Sequence, residues 1–160
     1  MRILLLGATA TCLCAAAAFA EPQGLGVGVM IGEPTGVSVK KWLDASRAID
    51  GAAAWSLSGR DALSLHADYL FHKSGVVTNT PPEVLLHFGV GGRIHIRGED
   101  DGNGNDDDDV TMGVRLPIGF TYLFRNNPVE FFMELAPVVE LIPDTDADMD
   151  AAIGIRFYFR

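Results

Sequence analysis

Along residues 24–159 the apolar side chains fall on alternate positions, and no convincing helical period interrupts them. A period of two is that of a β-strand, because successive side chains leave opposite faces of an extended backbone. Eight such segments can be drawn, over about 24–31, 36–43, 47–57, 62–72, 84–97, 110–124, 129–142 and 149–159. Turn-forming residues separate them: GEPTG after the first, DASR after the second, SGRD after the third and RNNP after the sixth. The longer connections are HKSGVVTNTPPE, an acidic GEDDGNGNDDDD and PDTDAD. Eight consecutive strands, each with one apolar and one polar face, predict an all-β fold: an eight-stranded antiparallel up-and-down β-barrel.

Alternation leaves open which face points outward. A soluble barrel of the lipocalin kind keeps its apolar face inside, around a hydrophobic ligand, whereas a membrane barrel turns it toward lipid. Three features favour lipid. The polar face is small, with Gly26, Gly28, Ala52, Ala54, Gly89, Gly91, Gly113, Gly119 and Gly154 on it, as the narrow lumen of an eight-stranded barrel requires. Its charges nearly balance: Lys40, Arg93, Arg97, Arg115 and Arg156 can meet Asp50, Asp68, Glu130, Glu134 and Glu140, and charges removed from water need such partners. Finally, aromatic residues collect at one end of the strands. With the N-terminus in the periplasm, Trp42, Tyr69, Phe71, Tyr122, Phe124, Phe131, Phe157 and Phe159 lie near one rim, the place of an aromatic girdle at a membrane interface.

The first twenty residues, MRILLLGATATCLCAAAAFA, have a basic start, an apolar stretch and small residues before Glu21. They read as a secretory signal peptide cut after Ala20, leaving 21–160 as the barrel domain. Cys12 and Cys14 are the chain's two cysteines, so residues 21–160 have no thiol for a disulfide or a metal. The formal net charge of −9 argues against nucleic acid, whose phosphates need Lys and Arg.

The closing strand, AAIGIRFYFR, alternates Ile153, Ile155, Phe157 and Phe159 on one face. In this the chain resembles the small outer-membrane β-barrel proteins of Gram-negative bacteria, of the OmpA-transmembrane or OmpX type, which usually end on an aromatic residue. Here Arg160 follows it. The resemblance implies an outer-membrane location, contact with outer-membrane lipid and lipopolysaccharide, and recognition of the C-terminal strand by the barrel-assembly machinery. A monomer with a structural or surface-interaction role is the reading that fits best; a small-solute pore is an alternative.

Other chemistry is weakly signalled. Asp101, Asn103, Asn105 and Asp109 offer oxygen ligands suited to calcium, but the sixth and twelfth positions of an EF-hand would be Asp106 and Met112, where a Gly and a Glu are required. The expectation is a solvated acidic loop and no cofactor. His66, Asp68 and His72 share a strand face, with His87 and His95 able to join them in the lumen. Ser64, His66 and Asp68 are the residue types of a nucleophilic triad, but neighbours on one strand rarely acquire its geometry. No catalysis is expected.

Overall fold

The computed structural model describes residues 24–55, 62–77, 79, 81, 83–99 and 107–159. The strands are β1 (Leu25–Glu33), β2 (Thr35–Trp42), β3 (Arg47–Trp55), β4 (Ala62–Ser74), β5 (Val84–Glu99), β6 (Asp107–Arg115), β7 (Ile118–Leu123), β8 (Val129–Ile142) and β9 (Asp146–Phe159). Neighbours in sequence pair antiparallel except β6 and β7, and β1 pairs with β9, from Leu25 opposite Phe159 to Glu33 opposite Ala151. That last pairing closes the sheet, and β6 and β7 both lie between β5 and β8. The nine elements therefore make eight staves. Among the described residues there is no helix.

The sixth segment, expected as one strand, is two because Pro117 has no N–H to give the ladder. Its neighbours bridge the gap: the Leu116 N–H donates to the Pro137 carbonyl at 3.0 Å, and the Gly89 N–H donates to the Pro117 carbonyl at 2.9 Å. The alternation passes through the break unchanged, with Leu116 and Ile118 outward and Arg115 and Pro117 buried. A second departure lies at the acidic connections. Asp107–Asp109 belong to β6, and Asp146–Asp148 of PDTDAD belong to β9, where the ladder runs up to Glu140 opposite Asp146. Backbone pairing outweighs the low strand propensity of Asp.

At the opposite end the turn after β2 is held by one carboxylate. Asp44 Oδ1 accepts from the backbone N–H groups of Ser46 at 2.9 Å and Arg47 at 2.8 Å. The Arg47 side chain hydrogen-bonds to Asp44 Oδ2 and, with those amides, holds the carboxyl well below its ordinary range. This is an Asx-type turn, which Asp favours because its side chain replaces a backbone acceptor.

Burial inverts the usual rule. The outward row of every strand is apolar and exposed, including Val29, Val37, Ile49, Leu65, Phe88, Val114, Leu135 and Ile155. The inward row is buried and mostly small, polar or charged, with Met30, Leu70, Phe132 and Val138 among it. Gly154 shows why the small residues are needed. A Cβ there would overlap the Phe132 ring and press on the Val29 carbonyl. Gly154→Leu is therefore expected to lower stability by about 1–3 kcal/mol through overpacking, read as a fall in the unfolding midpoint of the detergent-solubilised barrel.

Candidate functional site

A network of ion pairs lines the interior. Four buried cations, Lys40, Arg93, Arg115 and Arg156, face five buried carboxylates, Asp50, Asp68, Glu130, Glu134 and Asp150. They come from seven of the eight staves, all but β1, and each is inward because it shares the parity of the small residues on its own strand.

Near the end carrying the chain's C-terminus, Glu130 is the hub. Lys40 Nζ donates to both of its oxygens at 3.1 Å, Arg156 donates at 2.7 Å, and the Tyr158 hydroxyl donates at 2.6 Å. Arg156 also donates to Asp50 at 2.9 Å and to the Ser38 hydroxyl. The side chains of Lys40 and Glu130 are fully buried, so these charges have exchanged water entirely for one another. Such hydrogen bonds between ions are short and strong, and both oxygens of Glu130 are engaged, whereas Asp50 Oδ1 has no hydrogen-bond partner.

Above this cluster lies an apolar layer of Met30, Ala52, Phe132 and Ala152, with the Arg156 guanidinium 3.8 Å from the Phe132 ring centroid. Beyond it Arg115 holds three carboxylates: Asp68, Glu134 at 2.6 Å and Asp150 at 3.1 Å. His87 bonds to Glu134 and to the Thr121 hydroxyl, both at 3.0 Å. Asp150 joins Arg115 to Arg93 at 2.6 Å, and Arg93 reaches Glu140 and Asp148 at 2.7 Å, toward the other mouth. The two charged clusters thus flank these apolar residues and approach each other where Asp50 stands opposite Asp68 in register.

Of the lumen residues expected from sequence, Lys40, Asp50, Asp68, Arg93, Arg115, Glu130, Glu134, Glu140 and Arg156 enter this network. Arg97 pairs in register with Asp109; their side chains lie outside the described residues, as do Asp101, Asn103 and Asn105. Sequence reasoning left Asp150 out of the lumen set although it lies within the eighth segment, 149–159. Its parity with Ala152, Gly154 and Arg156 was the available signal.

The aromatic rim needs one correction. Tyr69, Phe71, Tyr122, Phe124, Phe131, Phe157 and Phe159 are outward. Same-face pairs touch at ring-centroid distances of 5.2 Å for Tyr69–Phe71, 4.8 Å for Tyr122–Phe124 and 5.5 Å for Phe157–Phe159. Trp42 is not among them. It has the inward parity of Lys40, stacks 4.2 Å from His72, and donates its indole N–H to the Tyr158 hydroxyl at 2.9 Å. Sorting aromatics by strand end alone ignores the face, and the face places this indole over the mouth of the lumen.

The histidines are absorbed by the same network. His72 Nε2 lies 2.9 Å from Lys40 Nζ, and His66 Nε2 is 3.9 Å from Asp68. The Ser64 hydroxyl makes no hydrogen bond to His66, so these residues do not form the relay of a nucleophilic triad. Among the described residues no three His, Cys, Asp or Glu side chains converge as metal ligands.

No protein-family model matches the chain, and no curated protein matches it in sequence. Its fold is nonetheless found among solved structures. The N-terminal β-barrel domain of Pseudomonas aeruginosa OprF superposes with a TM-score of 0.65 at 11% identity, covering 84% of this chain and 95% of that one. Neisserial surface protein A superposes with a TM-score of 0.52 at 15% identity, covering 84% and 93%. At these identities the likeness is one of fold: a small antiparallel barrel.

Proposed function

We propose that the chain is an exported outer-membrane barrel with a structural or surface-interaction role, its lumen closed by its own side chains, and that it is not an enzyme. One observation carries the reading: an apolar row faces out on every stave, and the buried charges face in. In water the outward row would be a continuous hydrophobic surface far beyond what monomeric soluble proteins expose. In a bilayer it is the ordinary outer surface of a barrel. A soluble barrel for a hydrophobic ligand needs the opposite arrangement. The pore alternative is disfavoured by the two charged clusters and the apolar residues beside them, whose side chains reach one another from different staves.

In this reading residues 1–20 direct export, the outward row meets lipid and lipopolysaccharide, and the C-terminal strand with Phe157 and Phe159 is what the assembly machinery engages. The acidic connection between β5 and β6 becomes a solvated surface loop. Membrane fractionation should recover the protein in the outer membrane, with a folded band that shifts on boiling; recovery as a detergent-free soluble protein would refute the assignment. Planar-bilayer recordings should show no large steady conductance. Calorimetric titration with calcium should give no heat of specific binding.

A further inference from the structure

The buried charges of the lumen do not balance. With the histidines neutral, four cations, Lys40, Arg93, Arg115 and Arg156, face five carboxylates, Asp50, Asp68, Glu130, Glu134 and Asp150, and all nine residues are at most 8% exposed. Glu140 and Asp148, the other carboxylates on Arg93, reach solvent. The hydrogen bonds show where the surplus lies. Both oxygens of Glu130, Glu134 and Asp150 are engaged. Asp50 and Asp68 each give Oδ2 to a guanidinium, that of Arg156 and that of Arg115, and the Oδ1 of each is buried with no hydrogen-bond donor among the described residues. These two carboxyl groups are neighbours. Asp50 of β3 stands directly opposite Asp68 of β4, both inward, and the Cβ atoms of such a cross-strand pair lie about 4.5–5.5 Å apart.

We propose that Asp50 and Asp68 form a proton-binding site: the pair holds one proton, which one carboxyl group donates to the other through the two Oδ1 atoms. A single proton removes the surplus charge and gives both orphan oxygens a partner. Two like charges at this spacing, out of water, repel each other, and the shared proton removes the repulsion. The nearby cations do not, because each is already divided. Lys40, opposite Asp50 on β2, and Arg156 of β9 are both drawn to Glu130 of β8. Arg115 of β6 is shared among Asp68, Glu134 and Asp150. The β5 neighbour of Asp68 is Gly91, which brings no charge. His66 of β4 lies 3.9 Å from Asp68 through Nε2, but its Nδ1 has no partner, so a charged imidazole there would bury a donor with nothing to bond. His87 turns to Glu134 instead. A metal ion fits less well, since among the described residues no group of three His, Cys, Asp or Glu side chains could hold one.

The test is infrared spectroscopy of the refolded barrel in micelles at neutral pH. Wild type should show the C=O stretch of a protonated carboxyl group. Asp68→Asn should remove it, because the remaining aspartate then ionises and accepts from the asparagine amide. Asp50→Asn should do the same, and serves if the first variant does not refold. Unfolding at several pH values gives a second readout. The folded pair keeps a proton that the unfolded chain, whose aspartates ionise near pH ~4, has released. Wild-type stability should therefore fall as pH rises above about 5, by up to about tenfold in the folding equilibrium constant per pH unit, until the pair gives up its proton. Either asparagine variant should flatten that profile by the share of one proton. No protonated-carboxyl band in wild type, or a band of unchanged intensity in both variants, overturns the proposal, as does a pH profile that neither variant alters.

Discussion

Arg115→Met should lower the stability of the barrel by about 3–5 kcal/mol, the cost of leaving buried charge without its partner. The guanidinium is 1% exposed and is shared by Asp68, Glu134 and Asp150. Methionine fills a similar volume, so little of the loss comes from a cavity. It comes from three carboxylates that keep their burial and lose their cation. Two of them, Glu134 and Asp150, retain His87 and Arg93 as partners; Asp68 retains His66 at 3.9 Å. Adding Asp68→Asn and Glu134→Gln should therefore recover part of the loss, because the charge stranded by the first change is removed. Denaturant unfolding in micelles reads both effects. Arg47→Ala, in an exposed pair with Asp44, should leave the midpoint nearly unchanged, since solvent screens such pairs. A loss of similar size at Arg47 and Arg115 would mean that burial is not what gives the lumen its weight.

The second large effect is expected outside the barrel. Val29 is 53% exposed in the middle of β1, between Val37 on β2 and Ile155 on β9. In water an Arg at such a site is benign. Facing the middle of a bilayer it should cost about 2–4 kcal/mol, falling to about 0–1 kcal/mol near the interface. Val29→Arg should thus destabilise the reconstituted barrel far more than Leu25→Arg, which sits opposite Phe159 at the aromatic end. The comparison matters more than either value. Equal, small effects at the two positions would place the apolar row in water and return the soluble reading.

How far the chain could be read in advance follows from what a period of two encodes. Parity assigns each side chain to a face, so the alternation of Val27, Val29 and Ile31 with Gly28 and Met30 was visible in residue order alone. It also carried through Pro117, where the hydrogen-bond ladder breaks but the alternation does not. Parity says nothing about height. Which cation meets which carboxylate depends on the stagger of staves around the barrel, a property of the closed sheet. Lys40 and Glu130 are ninety positions apart, and nothing local links them. Composition misled where it was allowed to override parity. Asp150 follows Asp144, Asp146 and Asp148 and was passed over at the start of its strand, yet it is 3% exposed and joins Arg93 to Arg115. Trp42 reads as a rim aromatic, yet its parity with Lys40 turns it inward to Tyr158.

The central claim is that the apolar row meets hydrocarbon and the charged row does not. Residues 21–160 contain no cysteine, so a single introduced thiol reports one position. A nitroxide attached at Val29→Cys in the reconstituted protein should collide readily with oxygen, which concentrates in the bilayer interior, and hardly at all with a water-soluble nickel chelate. Ready collision with the chelate, and no excess with oxygen, would contradict the account.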